Sequence, residues 1–162
     1  MPRAASAAAA VLVFAALGHA ATAQGSLDRV RRFGGVDSGK INSTSALGIT
    51  LEKGGVEKKI PAEDIVSVYF AGEPAELNSA RAAIETGRYQ DALDLLGKID
   101  LGDLDRDVIV SDVEYFRAVA RARLAASGDG LDPAISGVTG FLASNKKSFQ
   151  KYLKAASLFR IA

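Results

Sequence analysis

The chain has no cysteine and no tryptophan, and only one methionine and one histidine in 162 residues. Lack of cysteine excludes disulfides, thiolate nucleophiles and thiolate-bound metal. The single His19 and Met1 fall within residues 1–23, which read as an export signal. Arg3 precedes an apolar run from Ala7 to Leu17, and Ala21-Thr22-Ala23 forms a small-residue cleavage site before Gln24. That run is shorter than the roughly 20 residues of a membrane span. We therefore expect cleavage near Ala23 and a periplasmic or secreted destination. No arginine pair precedes the run, since Arg31-Arg32 lie beyond it, which points to ordinary secretion rather than twin-arginine export.

After cleavage the chain retains no His, Cys, Met or Trp. Ser-His-Asp and Cys-His arrangements and histidine-liganded zinc are then excluded. Catalysis would rest on Asp, Glu, Lys, Tyr or Ser, and no paired acid and base can be nominated among them. We expect no enzyme, no cofactor, no metal and no small-molecule substrate. The formal net charge of +1 includes Arg3, so the exported chain would be neutral overall.

What remains divides in two. Residues 24–72 carry a period of two. Leu27 to Phe33 and Val36 to Asn42 read as strands, and Gly48 to Lys53 as a third with Ile49 and Leu51 on one face. Gly54-Gly55 supplies a two-residue turn, Val56 to Ile60 returns, and Pro61 ends that strand. Ile65 to Phe70 is a β-branched and aromatic final strand. Five short strands with a bend near Gly39 suggest a small closed barrel. The segment Gly39-Lys40-Ile41, Gly48-Ile49-Thr50-Leu51 and Lys59-Ile60-Pro61-Ala62-Glu63-Asp64-Ile65 resembles an Sm-like barrel.

After Glu73-Pro74 the period becomes helical. Leu77, Ala80, Ala83 and Ile84 share a stripe, Gly87 is a stop, and Tyr89, Ala92, Leu93, Leu96 and Ile99 form the next stripe. Gly87, Tyr89 and Ala92 are spaced as at the turn and second helix of a tetratricopeptide (TPR) repeat, which this segment resembles. Glu76 stands where that family would have an aromatic. A long helix from Asp107 to Ser127, a break at Gly128-Asp129-Gly130 and a helix from Leu131 to Leu142 read as a second, weaker copy. A further helix is expected from Ser144 or Asn145 to the end. The expected fold class is multidomain, β then α: a small five-stranded β-barrel over 24–72 followed by an α-helical TPR-like repeat array over 73–162. Its apolar end, Ala155 to Ala162, suggests an array that continues or docks on another subunit.

Two near-motifs depart from their patterns, and the sequence leaves open only a weak calcium site in the second. Gly34-Gly35-Val36-Asp37-Ser38-Gly39-Lys40 has phosphate-loop spacing, but Ile41 stands where a Ser or Thr hydroxyl is required and no helix follows. Asp103, Asp105, Asp107 and Glu114 fall at positions one, three, five and twelve of a calcium-binding loop. Val108 replaces its turn glycine, and Arg106 sits among the ligands. Asp105 or Asp107 as a helix cap explains the acids better. Asn42-Ser43-Thr44 is a glycosylation triplet of low specificity.

Residues 73–132 hold 13 acids and 7 bases, whereas 133–162 hold Lys146, Lys147, Lys151, Lys154 and Arg160 and no acid. The resemblance to helical repeats implies a groove that receives a protein or peptide, with Arg117 and Arg121 as groove contacts beside Glu114. The expected function is an exported protein-interaction scaffold. The alternative is binding of a membrane surface or polyanion through the barrel and the basic C-terminal helix. The first half, 7 bases against 6 acids, argues against nucleic acid.

Overall fold

A computed structural model describes residues 27–129 and 131–150. The segment expected to be an export signal, the basic residues after Gln150 and the apolar end at Ala162 lie outside the described residues. β1 (Asp28–Arg32), β2 (Gly35–Ser45), β3 (Gly48–Lys53), β4 (Val56–Pro61) and β5 (Ile65–Tyr69) form one antiparallel sheet in the order β4-β3-β2-β1-β5. The β3–β4 hairpin turns at Gly54 and Gly55, whose φ of 61° and 81° only glycine adopts readily. β2 is long because it serves two neighbours. Its first part pairs with β1 up to Asp28↔Gly39, and its second pairs with β3 from Lys40↔Glu52 onward. The strand bends where it changes partner. A Cβ on Gly39 would strike the Glu52 carbonyl oxygen, so this approach requires glycine.

The sheet is not closed, which corrects the expected Sm-like barrel. Closure would require a β4–β5 ladder, and none is formed among the described residues. Pro61 ends β4 without an N–H, a single 3₁₀ turn over Ala62–Asp64 follows, and the Ala62 amide bonds to the Leu47 carbonyl at 2.9 Å. β4 exposes Glu57, Lys58 and Lys59 in succession, as a guarded edge strand does.

Among the described residues four helices follow: α1 (Ala75–Glu85), α2 (Tyr89–Gly97), α3 (Asp107–Leu124) and α4 (Asp132–Ser144), with a π turn over Ala125–Asp129 between the last two. They do not form a TPR-like array, and the expected repeat architecture is overturned. Two helix pairs are fewer than the three repeats a solenoid needs to bury its stacking faces. Here α1 packs on α2 and α2 on α3, and the three share one core with the sheet, with Val30, Ile49, Leu51, Ile60 and Val68 on the strands and Leu77, Ala83, Leu96, Ile109 and Val113 on the helices. α4 packs on the opposite side of α3 through Tyr115, Val119, Val138 and Phe141. α3 is thus buried on several faces rather than along the single stripe Val113, Phe116, Ala120, Leu124. Asn145 to Phe149 are not helical, so a helix starting at Ser144 or Asn145 is not formed there. Among the described residues no helix is long and apolar enough to cross a membrane.

Candidate functional site

Two polar clusters join sheet and helices. The first is Asp28, 1% exposed on the inward face of β1. It accepts from the Ile41 amide at 2.7 Å, from the Ala71 amide at 2.8 Å, and from both Nη1 (2.7 Å) and Nη2 (2.9 Å) of Arg106. Burial alone would push its carboxyl up. The Arg106 bonds and the two amides outweigh that, and hold it below the ordinary aspartate value.

The second centres on Arg81, in the middle of the apolar stripe of α1. Its Nη1 and Nη2 donate to Glu73 Oε1 (2.7 Å) and Oε2 (2.8 Å), and Nη2 donates to Asp112 Oδ2 at 2.6 Å. The guanidinium lies over the rings of Tyr69 and Phe116, at 5.3 and 5.5 Å from their centroids. The Phe70 amide donates to Glu73 Oε2 at 3.0 Å. Gln150 Nε2 donates to Asp112 Oδ1. Burial raises the Asp112 carboxyl above its usual value, and the Arg81 and Gln150 bonds only partly offset it.

Beside Asp112 opens a cleft of about 620 Å³. One wall is residues 41–44 of β2, a second is the first half of α3 from Arg106 to Asp112, and the third is 144–150. The β2 wall includes a strand edge. In β3, residues 49, 51 and 53 bond to β4 and residues 48, 50 and 52 to β2, as the turns at both ends of β3 dictate. Thr44, opposite Ile49, therefore turns its N–H and C=O away from β3. Past Gly39, β2 pairs with β3 alone among the described residues.

The comparisons with protein-family models, with curated proteins and with solved structures find no match. The site must be read from its own chemistry.

The sequence-selected residues lie apart from this cleft or at its rim. Arg117 Nη2 donates to the carbonyls of Leu96 (2.7 Å) and Ile99 (3.2 Å), and so caps the end of α2. Burial and the neighbouring charge of Arg121 lower its pKa. Arg121 is exposed beside Gly137 on α4. Glu114 accepts from Asn145 at 2.7 Å. Asp103, Asp105, Asp107 and Glu114 are not gathered, and no group of three or more potential ligands occurs among the described residues. Neither Asp105 nor Asp107 caps α3: Arg106 holds the N-cap position with no side-chain bond, and Asp107 begins the first turn. The phosphate-loop spacing falls on the β1–β2 turn and β2 itself. Asn42 lies in β2, with its amide on Glu57 at 3.3 Å.

Asp28, Glu73, Arg81, Asp112 and Gln150 belong to no sequence motif. The signal was a charge inside an apolar stripe: Arg81 between Ala80 and Ala83, and Asp112 between Ile109 and Val113. Such charges are buried only with partners.

Proposed function

We propose that the protein is an exported, non-enzymatic interaction module that receives an extended segment of a protein partner in the cleft between β2, α3 and 144–150. The observation that carries this reading is the edge of β2 at Thr44, an outward N–H and C=O on the wall of a cleft. A peptide laid there would extend the sheet, with main-chain bonds giving affinity and the hydroxyl and amide side chains of Ser43, Ser144, Asn145 and Ser148 giving selectivity. A second reading has one observation in its favour: Lys146 and Lys147 are exposed on the same rim, as binding of an anionic surface would require.

The test is Thr44→Pro. Proline is tolerated on a strand edge whose N–H faces outward, so the fold should persist while the edge donor is lost. Peptides selected from an extended random library on the full chain should shift the backbone amides of residues 42–45, and Thr44→Pro should abolish their binding. Undiminished binding by that variant would overturn the reading. Retention on anionic vesicles that disappears at high salt, with no peptide bound, would favour the second.

A further inference from the structure

The buried charge at the cleft floor does not balance. Among the described residues Asp28 and Arg106 pair one to one, but Arg81 alone faces two carboxylates, Glu73 and Asp112. With both ionised, one surplus negative charge is held out of water, a costly arrangement unless a cation or a proton joins it. Asp112 lines the cleft together with Ser111 and Gln150. Gln150 is 3% exposed, and among the described residues its Oε1 has no hydrogen-bond partner; neither has Ser111 Oγ. Because Gln150 Nε2 is committed to Asp112, the end left over is an acceptor. Among the described residues the floor thus offers surplus negative charge, an unused amide oxygen and a hydroxyl free to accept, and what it lacks is a second cation.

We infer that this floor is a subsite for an ammonium group, carried by the bound segment either as a lysine side chain or as its free amino terminus. The inference rests on the peptide reading above for what carries the ammonium, but not for the chemistry of the floor. An ammonium brings three donors and one positive charge, which fit Asp112, Gln150 Oε1 and Ser111 Oγ. Lys146 and Lys147 share the cleft and oppose a cation, but they are exposed and so screened by water and salt. Asp107, also exposed at the cleft, works in the other direction.

The experiment titrates the full chain with three small probes and follows the Gln150 side-chain amide by NMR. Nα-acetyl-lysine methylamide carries only the side-chain ammonium, norleucine methylamide only the free amino terminus, and Nα-acetyl-norleucine methylamide neither. At least one ammonium probe should bind about tenfold more tightly than the neutral one, and which of the two does so identifies the source. Asp112→Asn keeps the shape and leaves Arg81 paired with Glu73 alone, so it should erase the preference. Ser111→Ala should weaken it without touching the buried ion pairs, and decides the matter if Asp112→Asn does not fold. Equal binding of the three probes, or no binding, overturns the inference, as does a preference that survives both substitutions. Thr44→Pro separates the two proposals. Peptides that bind in a Thr44-dependent way yet ignore both lysine against norleucine and a free against an acetylated amino terminus would remove the subsite alone. An ammonium preference without any Thr44 dependence would remove the strand-edge reading and leave the subsite standing.

Discussion

Asp28 and Arg106, 78 positions apart, meet in a two-point ion pair that fastens the first strand to the start of α3. The same carboxylate takes the Ile41 amide where β1 stops pairing with β2, and the Ala71 amide just beyond β5. One buried side chain therefore fixes the relative position of three strands and a helix. Arg106 also donates to the Ala71 carbonyl at 3.3 Å and lies 5.7 Å from the Phe70 ring centroid, which ties the last strand into the same clamp.

Asp28→Asn should cost about 2–4 kcal/mol, because it removes a charge from four hydrogen bonds and leaves Arg106 without its counter-ion. The folded pKa of Asp28 is depressed below 3.8. Its stabilisation is therefore present above pH 3.8 and is lost as pH falls through the depressed value. Urea melts across pH 2–7 should show that the deficit of Asp28→Asn is largest at neutral pH and shrinks in acid. A deficit independent of pH would refute the ion-pair account.

Asp112 has the opposite sign. Its folded pKa is raised above 3.8, so the folded chain holds that proton more tightly than the unfolded chain does. Stability contributed by the neutral form is full below pH 3.8 and declines as pH rises toward the raised value. Asp112→Asn should flatten that decline in the same melts. Arg81→Met, which strands two buried carboxylates, should cost about 3–5 kcal/mol at neutral pH.

Gly39→Ala should destabilise the sheet by about 1–3 kcal/mol, since its Cβ would strike the Glu52 carbonyl where β2 changes partner. Hydrogen exchange should show the loss in the β2–β3 ladder first. An alanine variant with unchanged exchange there would show that the strand can straighten.

Arg117→Met should cost about 1–2 kcal/mol by freeing the carbonyls of Leu96 and Ile99 at the end of α2. Exposed Arg121→Ala should leave the melting temperature unchanged. If the variants affect peptide binding, the unfolding data separate a direct contact from a loosened α2.

The local elements were legible because each is written in a short window. Alternation of Ile49 and Leu51, then Gly54-Gly55, specifies the β3–β4 hairpin, and the stripe Leu77, Ala80, Ala83 with Gly87 specifies α1 and its end. The sheet-then-helix order followed from the change of period at Glu73-Pro74. The same stripes fit the stacking faces of repeats equally well. Periodicity marks which face of a helix is buried but carries nothing about what buries it. Whether the sheet closes was likewise out of reach, since it depends on β4 meeting β5 around the Ala62–Asp64 turn. The sequence by itself determined the absence of thiol chemistry throughout the chain and the type and span of most elements. Only the tertiary structure decided that Arg81 answers Glu73 and Asp112, that Asp28 answers Arg106, and that β2 presents an edge to a cleft. These pairings join residues far apart in the chain, and it takes the shared core of sheet and helices to bring them together.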